Sequence, residues 1–277
     1  MCYIYVNSGQ MHRLNYCRYP MKYSTLLLAI LLFTPLHASA SSCNTLQVSG
    51  YIGWVPLLIQ DSEEDPLTGI AIDLIREIAT DLKLPIEFKI LPWKRSLQYL
   101  EKGRIDIILG IYKTRRRSKI YHYTQPILRN QTRVFVLKSK VFKFEQLQDL
   151  IGKHGEILLG ASFGDEFDQF ARKHLTISGQ ASYLPSIKKL LKGNIDYMLS
   201  DHTDVLYSLQ KYGYNEQIIA LPKVVSTLEV YFAISKTSAC AHLAKDISER
   251  LEALKNSAKF SEIMQRYTGK NYSMDSQ

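Results

Sequence analysis

Twice in this chain a helical stretch ends at a glycine, an Ile-Asp pair follows, and a short apolar strand runs out into a polar group. The first instance is Gly103-Arg-Ile-Asp-Ile-Ile-Leu-Gly-Ile-Tyr-Lys-Thr-Arg-Arg-Arg117, and the second is Lys192-Gly-Asn-Ile-Asp-Tyr-Met-Leu-Ser-Asp201. Two copies of one helix-to-strand junction constrain the fold, because each implies a buried strand whose carboxyl end opens onto a loop. Open α/β sheets hold ligands outside those carboxyl ends. Arg117 stands past the first strand and Asp201 past the second. A guanidinium can fork onto a carboxylate, and a carboxylate can receive an ammonium. One of each, on two half-domains, suits a zwitterion.

The rest of the pattern builds a layered α/β fold around those strands. Strands are expected over Thr45–Gly50, Ile86–Leu91 and Ile105–Leu109, with helices over Ile70–Leu82, where apolar residues recur at helical spacing, and Pro92–Glu101. This β-α-β-α-β order is the signature of a parallel sheet. A second, smaller unit follows: strand Glu156–Leu159, helix Asp165–His174, strand Ala181–Leu184, helix Ser186–Leu191, strand Ile195–Leu199 and helix Thr203–Lys211. Arg133–Leu137 and Val230–Ser235 read as strands that cross between the units. Two helices, His242–Leu254 and Lys259–Tyr267, finish the chain. The economical architecture is two lobes, with lobe 1 formed by residues 41–138 and 230–277 and lobe 2, 139–229, inserted into it. Two crossing strands make a hinge that bends while keeping the lobes in register.

Residues 1–40 read as a signal peptide rather than as part of the fold. Met21-Lys-Tyr gives a basic start, and Met21 is the expected initiator. Leu26–Phe33 is apolar but shorter than the roughly 20 residues needed to span a bilayer. Ala38-Ser-Ala40 then offers a small-residue cleavage site, which makes Ser41 the first mature residue and predicts a periplasmic protein. Arg13, Arg18 and Lys22 lie in this leader and no acid does, so the +9 of the full chain becomes +6 in the mature one. That modest, dispersed excess argues against a nucleic-acid surface. Cys43 and Cys240 remain after processing. In an oxidising compartment they are expected to bridge; two separate thiols, or a lipidated Cys43, are the alternatives.

The chain resembles the bacterial family 3 solute-binding proteins, the type II periplasmic receptors that deliver polar amino acids to ABC importers. The resemblance runs from Leu46 to Tyr267. It rests on Leu67-Thr-Gly-Ile-Ala-Ile-Asp-Leu74, the Gly103–Ile127 block, Gly160-Ala-Ser-Phe-Gly-Asp-Glu-Phe167 and Gly193–Asp201, taken in order. It implies that Arg117 grips the ligand's α-carboxylate, that Asp201 takes its α-ammonium, and that Trp54 covers its side chain. Gly110 and Tyr112 fall where a backbone carbonyl and a small hydroxyl residue contact ligand. Ser162 falls where lobe 2 offers a hydroxyl and N–H groups to the carboxylate; a helix N-terminus there is an anion site on physical grounds alone. Trp93 is assigned to the pocket wall, with core packing as the alternative. An ABC permease of the inner membrane is the implied partner, and the protein is expected to be a monomer.

Four departures qualify the match. Tyr112 replaces a small Ser or Thr, and Leu57 replaces an aromatic residue. Arg115 and Arg116 leave the carboxylate-binding register open by a residue or two. Pro92-Trp-Lys-Arg95 is similar to a branch often found without transporter partners, for which a sensor role is the alternative. An enzyme reading also exists, because Gly160-Ala-Ser-Phe-Gly164 fits the G-x-S-x-G elbow of serine hydrolases. Ser162 would then be the nucleophile, served by His242 and by Asp201 or Asp204. No Gly-rich oxyanion loop precedes it, so the expectation is a binding protein and not an enzyme. His122, His154, His174 and His202 show no metal-ligand spacing, and no cofactor is signalled.

Overall fold

The structure, a computed structural model, describes residues 42–268. The leader, Met21 and the Ala38-Ser-Ala40 cleavage site lie outside the described residues, as does Ser41.

Among the described residues nine strands form one hydrogen-bonded sheet. They are β1 (Leu46–Gly50), β2 (Ile86–Phe88), β3 (Ile107–Tyr112), β4 (Tyr121–Tyr123), β5 (Leu128–Leu137), β6 (His154–Leu158), β7 (Thr176–Gln180), β8 (Tyr197–Asp201) and β9 (Ile218–Ser235). The helices are α1 (Ile70–Leu82), α2 (Trp93–Glu101), α3 (Arg115–Ile120), α4 (Asp165–His174), α5 (Tyr183–Leu191), α6 (His202–Tyr212), α7 (Ala244–Lys255) and α8 (Ala258–Thr268). The strand order is β2-β1-β3-β9-β5-β8-β6-β7, with β4 added along β9. β1 pairs in parallel with β2 and β3, and β6 in parallel with β7 and β8. These two parallel groups are joined by the antiparallel pair β5 and β9, which stay bonded from Leu128 opposite Val230 to Leu137 opposite Ile218.

The echo seen in the sequence has a structural reason. In each group the aspartate of Ile-Asp turns its carboxylate onto the backbone of the neighbouring strand. Asp106 Oδ2 accepts from Gln47 N at 2.7 Å, and Asp196 Oδ2 accepts from His154 N at 2.7 Å. Each carboxylate therefore satisfies an amide at the start of β1 or β6 and pins the register of the strand beside it.

The chain departs from the sequence expectation in four places. Ala181–Leu184 is not a strand. The strand lies earlier, at β7, and helix α5 starts at Tyr183, so Pro185 sits in a first helical turn, where its missing N–H costs nothing. β7 was hard to read because most of it is exposed and lacks apolar alternation. β3 and β8 extend two or three residues further than expected, which places Tyr112 and Asp201 inside the strands rather than beyond them. The crossing strands are also longer, β9 reaching 18 residues. The fourth departure is α3, a short helix over the basic run.

The core of the first group lies between the sheet and α1, whose Ile70, Leu74, Ile75 and Ile78 are buried along one stripe, with α7 and α8 packed behind. A disulfide joins Cys43, just before β1, to Cys240, just before α7, across a sequence separation of 197 residues. It ties the first strand to the closing helices. Replacing both cysteines by serine is expected to cost about 3–5 kcal/mol of unfolding free energy, because the unfolded chain regains the freedom of a long loop. Urea unfolding of the oxidised protein against the double variant measures this directly.

Candidate functional site

Four segments converge at the carboxyl ends of β1, β3 and β8 and the N-terminus of α4. They are the loop after β1 (Tyr51 to Pro56), the end of β3 with α3, the turn Gly160–Gly164, and the junction of β8 with α6. The residues around the resulting cavity are Tyr51, Trp54, Trp93, Ile111, Tyr112, Arg117, Leu158, Ala161, Ser162, Phe163, Tyr183 and Asp201. Six of the seven ligand-contact residues expected from sequence are therefore brought together: Trp54, Trp93, Tyr112, Arg117, Ser162 and Asp201. The seventh, Gly110, lies behind Trp54. It sits at a β-bulge with φ +79°, and a Cβ there would approach the Trp54 ring to 3.0 Å. Gly110 thus seats the indole, and a larger residue there would be strained by the positive φ and would press on the ring.

Arg117 is partly buried on α3. Its backbone N–H is capped by the Thr114 hydroxyl at 3.1 Å, which orients the side chain inward. The guanidinium donates to the carbonyl of Tyr112 at 3.0 Å and to that of Gly160 at 3.1 Å. Among the described residues no carboxylate lies within ion-pair distance of it, and burial lowers its pKa from the ordinary arginine value. Arg115 instead faces outward, pairing with Asp165 at 3.4 Å. Of the three arginines, Arg117 is the one that lines the cavity.

Asp201 ends β8 and begins α6. It stands at the N-cap position of α6, yet its side chain makes no cap hydrogen bond to the helix. The carboxylate accepts instead from the Tyr112 hydroxyl. Burial raises its pKa to about 7, with the hydrogen bond from Tyr112 opposing that rise. One turn on, Asp204 is fully buried and neither carboxylate oxygen has a hydrogen-bond partner of good geometry. Burial and the neighbouring Asp201 hold its pKa well above the ordinary carboxylate range.

Ser162 is engaged within its own lobe. Its hydroxyl donates to Asp168 Oδ2 at 2.5 Å, and Phe163 N donates to Asp168 Oδ1 at 3.0 Å. Asp168 thus caps the start of α4 and holds the donors that sequence reasoning had offered to a ligand carboxylate. The hydrolase arrangement is not formed either, because the His242 ring bonds to the carbonyl of Ala239. Among the described residues no three His, Cys, Asp or Glu side chains gather as a metal site.

Aromatic groups complete the walls. Trp54 meets Tyr112 edge-on at 5.4 Å, and Tyr51 meets Tyr183 edge-on at 5.6 Å. Trp93 Nε1 donates to the Gly160 carbonyl at 3.3 Å, so this residue faces the cavity as well as the core. Tyr51 and Tyr183 were missed from sequence. Tyr51 directly follows β1 in the Trp54 loop, which was a usable signal; Tyr183 was hidden by the misplaced strand. The cavity measures only ≈ 30 Å³, against roughly 300–1,000 Å³ for small-molecule sites in general. A larger open groove of ≈ 940 Å³ lies between α3 and β9, lined by Lys113, Arg115, Lys119 and Arg129, and it touches none of the seven expected contact residues.

With the geometry in view, comparison with known proteins is informative. The model of the bacterial extracellular solute-binding proteins, family 3, matches residues 46–270. The chain is similar to the L-cystine-binding protein TcyA of Bacillus subtilis, 24% identical over 239 residues that cover 86% of each chain. It is also similar to the probable amino-acid-binding protein YxeM of the same organism, 20% identical over 215 residues, covering 77% of this chain and 80% of that one. Among solved structures it matches a mutant of ArgBP from T. maritima with a TM-score of 0.71 at 20% identity, covering 82% of this chain and 96% of that one. A histidine kinase sensor domain similar to periplasmic binding proteins matches with a TM-score of 0.71 at 19% identity, covering 81% and 96%. At these identities the structural likeness establishes the fold, a two-lobe type II periplasmic-binding-protein architecture.

The two buried acids give stability a definite pH dependence. Asp201 has a pKa of about 7 in the folded protein against 3.8 for the free side chain, so between those values the folded state holds a proton that the unfolded state has released. Its contribution is fully present below about pH 4 and is lost as pH rises through about 7. Asp204 acts in the same direction. Urea unfolding at pH 8 should therefore give a stability a few kcal/mol below that at pH 5. Asp201→Asn should flatten its share of that slope.

Proposed function

This chain belongs to the bacterial extracellular solute-binding proteins, family 3, and from that premise we propose that it captures a small amino-acid-like ligand between its two lobes. The observation that carries this reading is the placement of Arg117 and Asp201 around one cavity with, among the described residues, no oppositely charged side chain paired with either. A buried charge without a counter-charge is costly, and a zwitterion supplies both counter-charges at once. In this reading Arg117 holds the α-carboxylate, Asp201 holds the α-ammonium, and Trp54 with Trp93 covers the remainder. Tyr51 and Tyr183 add aromatic surface.

The lobes are residues 41–138 with 230–277, and 139–229, moving about β5 and β9. Since the cavity is so small as the side chains stand, entry requires the lobes to part. Opening breaks two exposed ion pairs, Lys211 with Asp61 at 2.5 Å and Arg115 with Asp165 at 3.4 Å, together with the hydrogen bonds from Trp93 and Arg117 to the Gly160 carbonyl and from Tyr112 to Asp201. The names of its relatives, which bind cystine or are assigned to amino acids, support the ligand class. Export through a cleaved leader, a periplasmic location and delivery to an ABC permease complete the proposal. Catalysis is not part of it, because Ser162 has a carboxylate and not an imidazole as its partner.

A micromolar ligand leaves about 8 kcal/mol of net binding free energy. At ~1 mM it would add about 4 kcal/mol to folding stability, an easily measured thermal shift. A panel of amino acids is expected to contain at least one selective stabiliser. Arg117→Ala and Asp201→Ala should each abolish that shift while leaving the circular dichroism spectrum unchanged. Retention of wild-type affinity in either variant would sink the site assignment.

A further inference from the structure

Tyr112 occupies both ends of the proposed site. Its backbone carbonyl accepts from Arg117 Nη1 at 3.0 Å, and its hydroxyl donates to Asp201 Oδ1. An acceptor for the guanidinium and a donor for the carboxylate are what a zwitterion would present to the same two groups. The side chain is 5% exposed and its ring is held edge-on by Trp54, so the hydroxyl is placed by packing and not by chance rotation. The bond also spans the lobes, since Tyr112 ends β3 beside β9 while Asp201 ends β8 beside β5. Where a short hydroxyl side chain would leave Asp201 open, the phenol reaches it.

From this we infer that Tyr112 is the specificity-determining residue of the cavity: its hydroxyl stands in for a ligand's cationic nitrogen, so that binding is an exchange at Asp201. This inference rests on the amino-acid reading given above. The consequence concerns ligand class. A phenol hydrogen bond to a carboxylate is neutral on the donor side, and an ammonium bond to it is charged on both sides and stronger. A ligand with a protonated amine therefore displaces the hydroxyl, whereas a neutral amide or a deaminated carboxylic acid gains nothing by doing so. Every amino acid also binds less tightly than it would to an unoccupied Asp201, because the bond from Tyr112 must first be broken.

Tyr112→Phe tests this, since it removes the hydroxyl and keeps the ring. Calorimetric titration at a pH above the raised pKa of Asp201, so that its carboxylate is ionised in both proteins, should show the variant binding the amino acid that stabilises the wild type about tenfold tighter or more, the scale of one hydrogen bond to a charged group. The deaminated analogue of the same ligand should show no such gain. Unchanged or weaker amino-acid binding by Tyr112→Phe would overturn the inference while leaving the proposed function standing. If no amino acid binds either protein, the proposed function fails instead. The exchange at Asp201 falls with it, and small-angle scattering of the two proteins without ligand then tests the Tyr112 bond as a closure between the lobes. Loss of the bond between lobes should expand the variant, and identical radii would overturn it. Circular dichroism and thermal unfolding of Tyr112→Phe, which keeps the ring against Trp54, establish that the variant is folded before either reading is taken.

Discussion

Everything in this molecule that concerns its cavity depends on the antiparallel pairing of β5 with β9. Each strand is bonded to the other over nearly its whole length, and each is also an inner strand of one parallel group, β9 against β3 and β5 against β8. The two groups therefore cannot separate without disrupting this ladder, but they can bend along it. The register shifts around Thr132 and Phe135 mark where the ladder is least regular. Bulges increase local twist and release a hydrogen bond, so bending is cheapest there. Because the pairing also sets how the two groups face each other, it decides that the ends of β3 and β8 look into one space.

That space is electrostatically unusual. Among the described residues it holds a guanidinium without a carboxylate partner and one buried carboxylate, Asp201, without a cation, while a second, Asp204, lies fully enclosed nearby on α6. In an ordinary core such groups would be replaced or paired, since desolvation of a charge exceeds what most contacts return. Here the cost is moderated by neutral groups: backbone carbonyls for Arg117, a phenol for Asp201, and protonation favoured by burial for both acids. Such arrangements are enriched at functional sites, and the proposed function draws on that. The disulfide from Cys43 to Cys240 and the paired Asp106 and Asp196 braces stiffen the frame against which this site is held.

Much of this was legible in the chain. The stripe of Ile70 to Leu82 read as a helix and is one, because its apolar residues repeat at 3.6 and it packs as a unit. The Ile-Asp junctions located both central strands, because a buried carboxylate that braces a neighbouring amide leaves a recognisable local pattern. The family resemblance then assigned Arg117, Asp201 and Trp54 to one site. Where the reading failed, the local signal was weak or ambiguous. Thr176 to Gln180 forms an exposed edge strand without alternation, so Ala181 to Leu184, more apolar, was read as a strand in its place although a helix starts there. Ser162 sat correctly at the start of α4, yet nothing in its neighbourhood showed that Asp168, six residues on, would take its hydroxyl.

What the sequence by itself determined is therefore most of the elements, their order and the polar residues at the strand ends, since periodicity, glycine-ended helices and strand-end motifs are properties of a few adjacent residues. Only the tertiary structure decided how those residues meet. Tyr112 and Asp201 are 89 residues apart, and their bond exists because β5 and β9 bring two lobes edge to edge. Which way Tyr112 points depends on the bulge at Gly110, and that bulge is accommodated by the Trp54 ring packed against it. Such contacts depend on distance and direction across the fold. A linear pattern carries neither, so the motif shows the residue and the packing shows what it does.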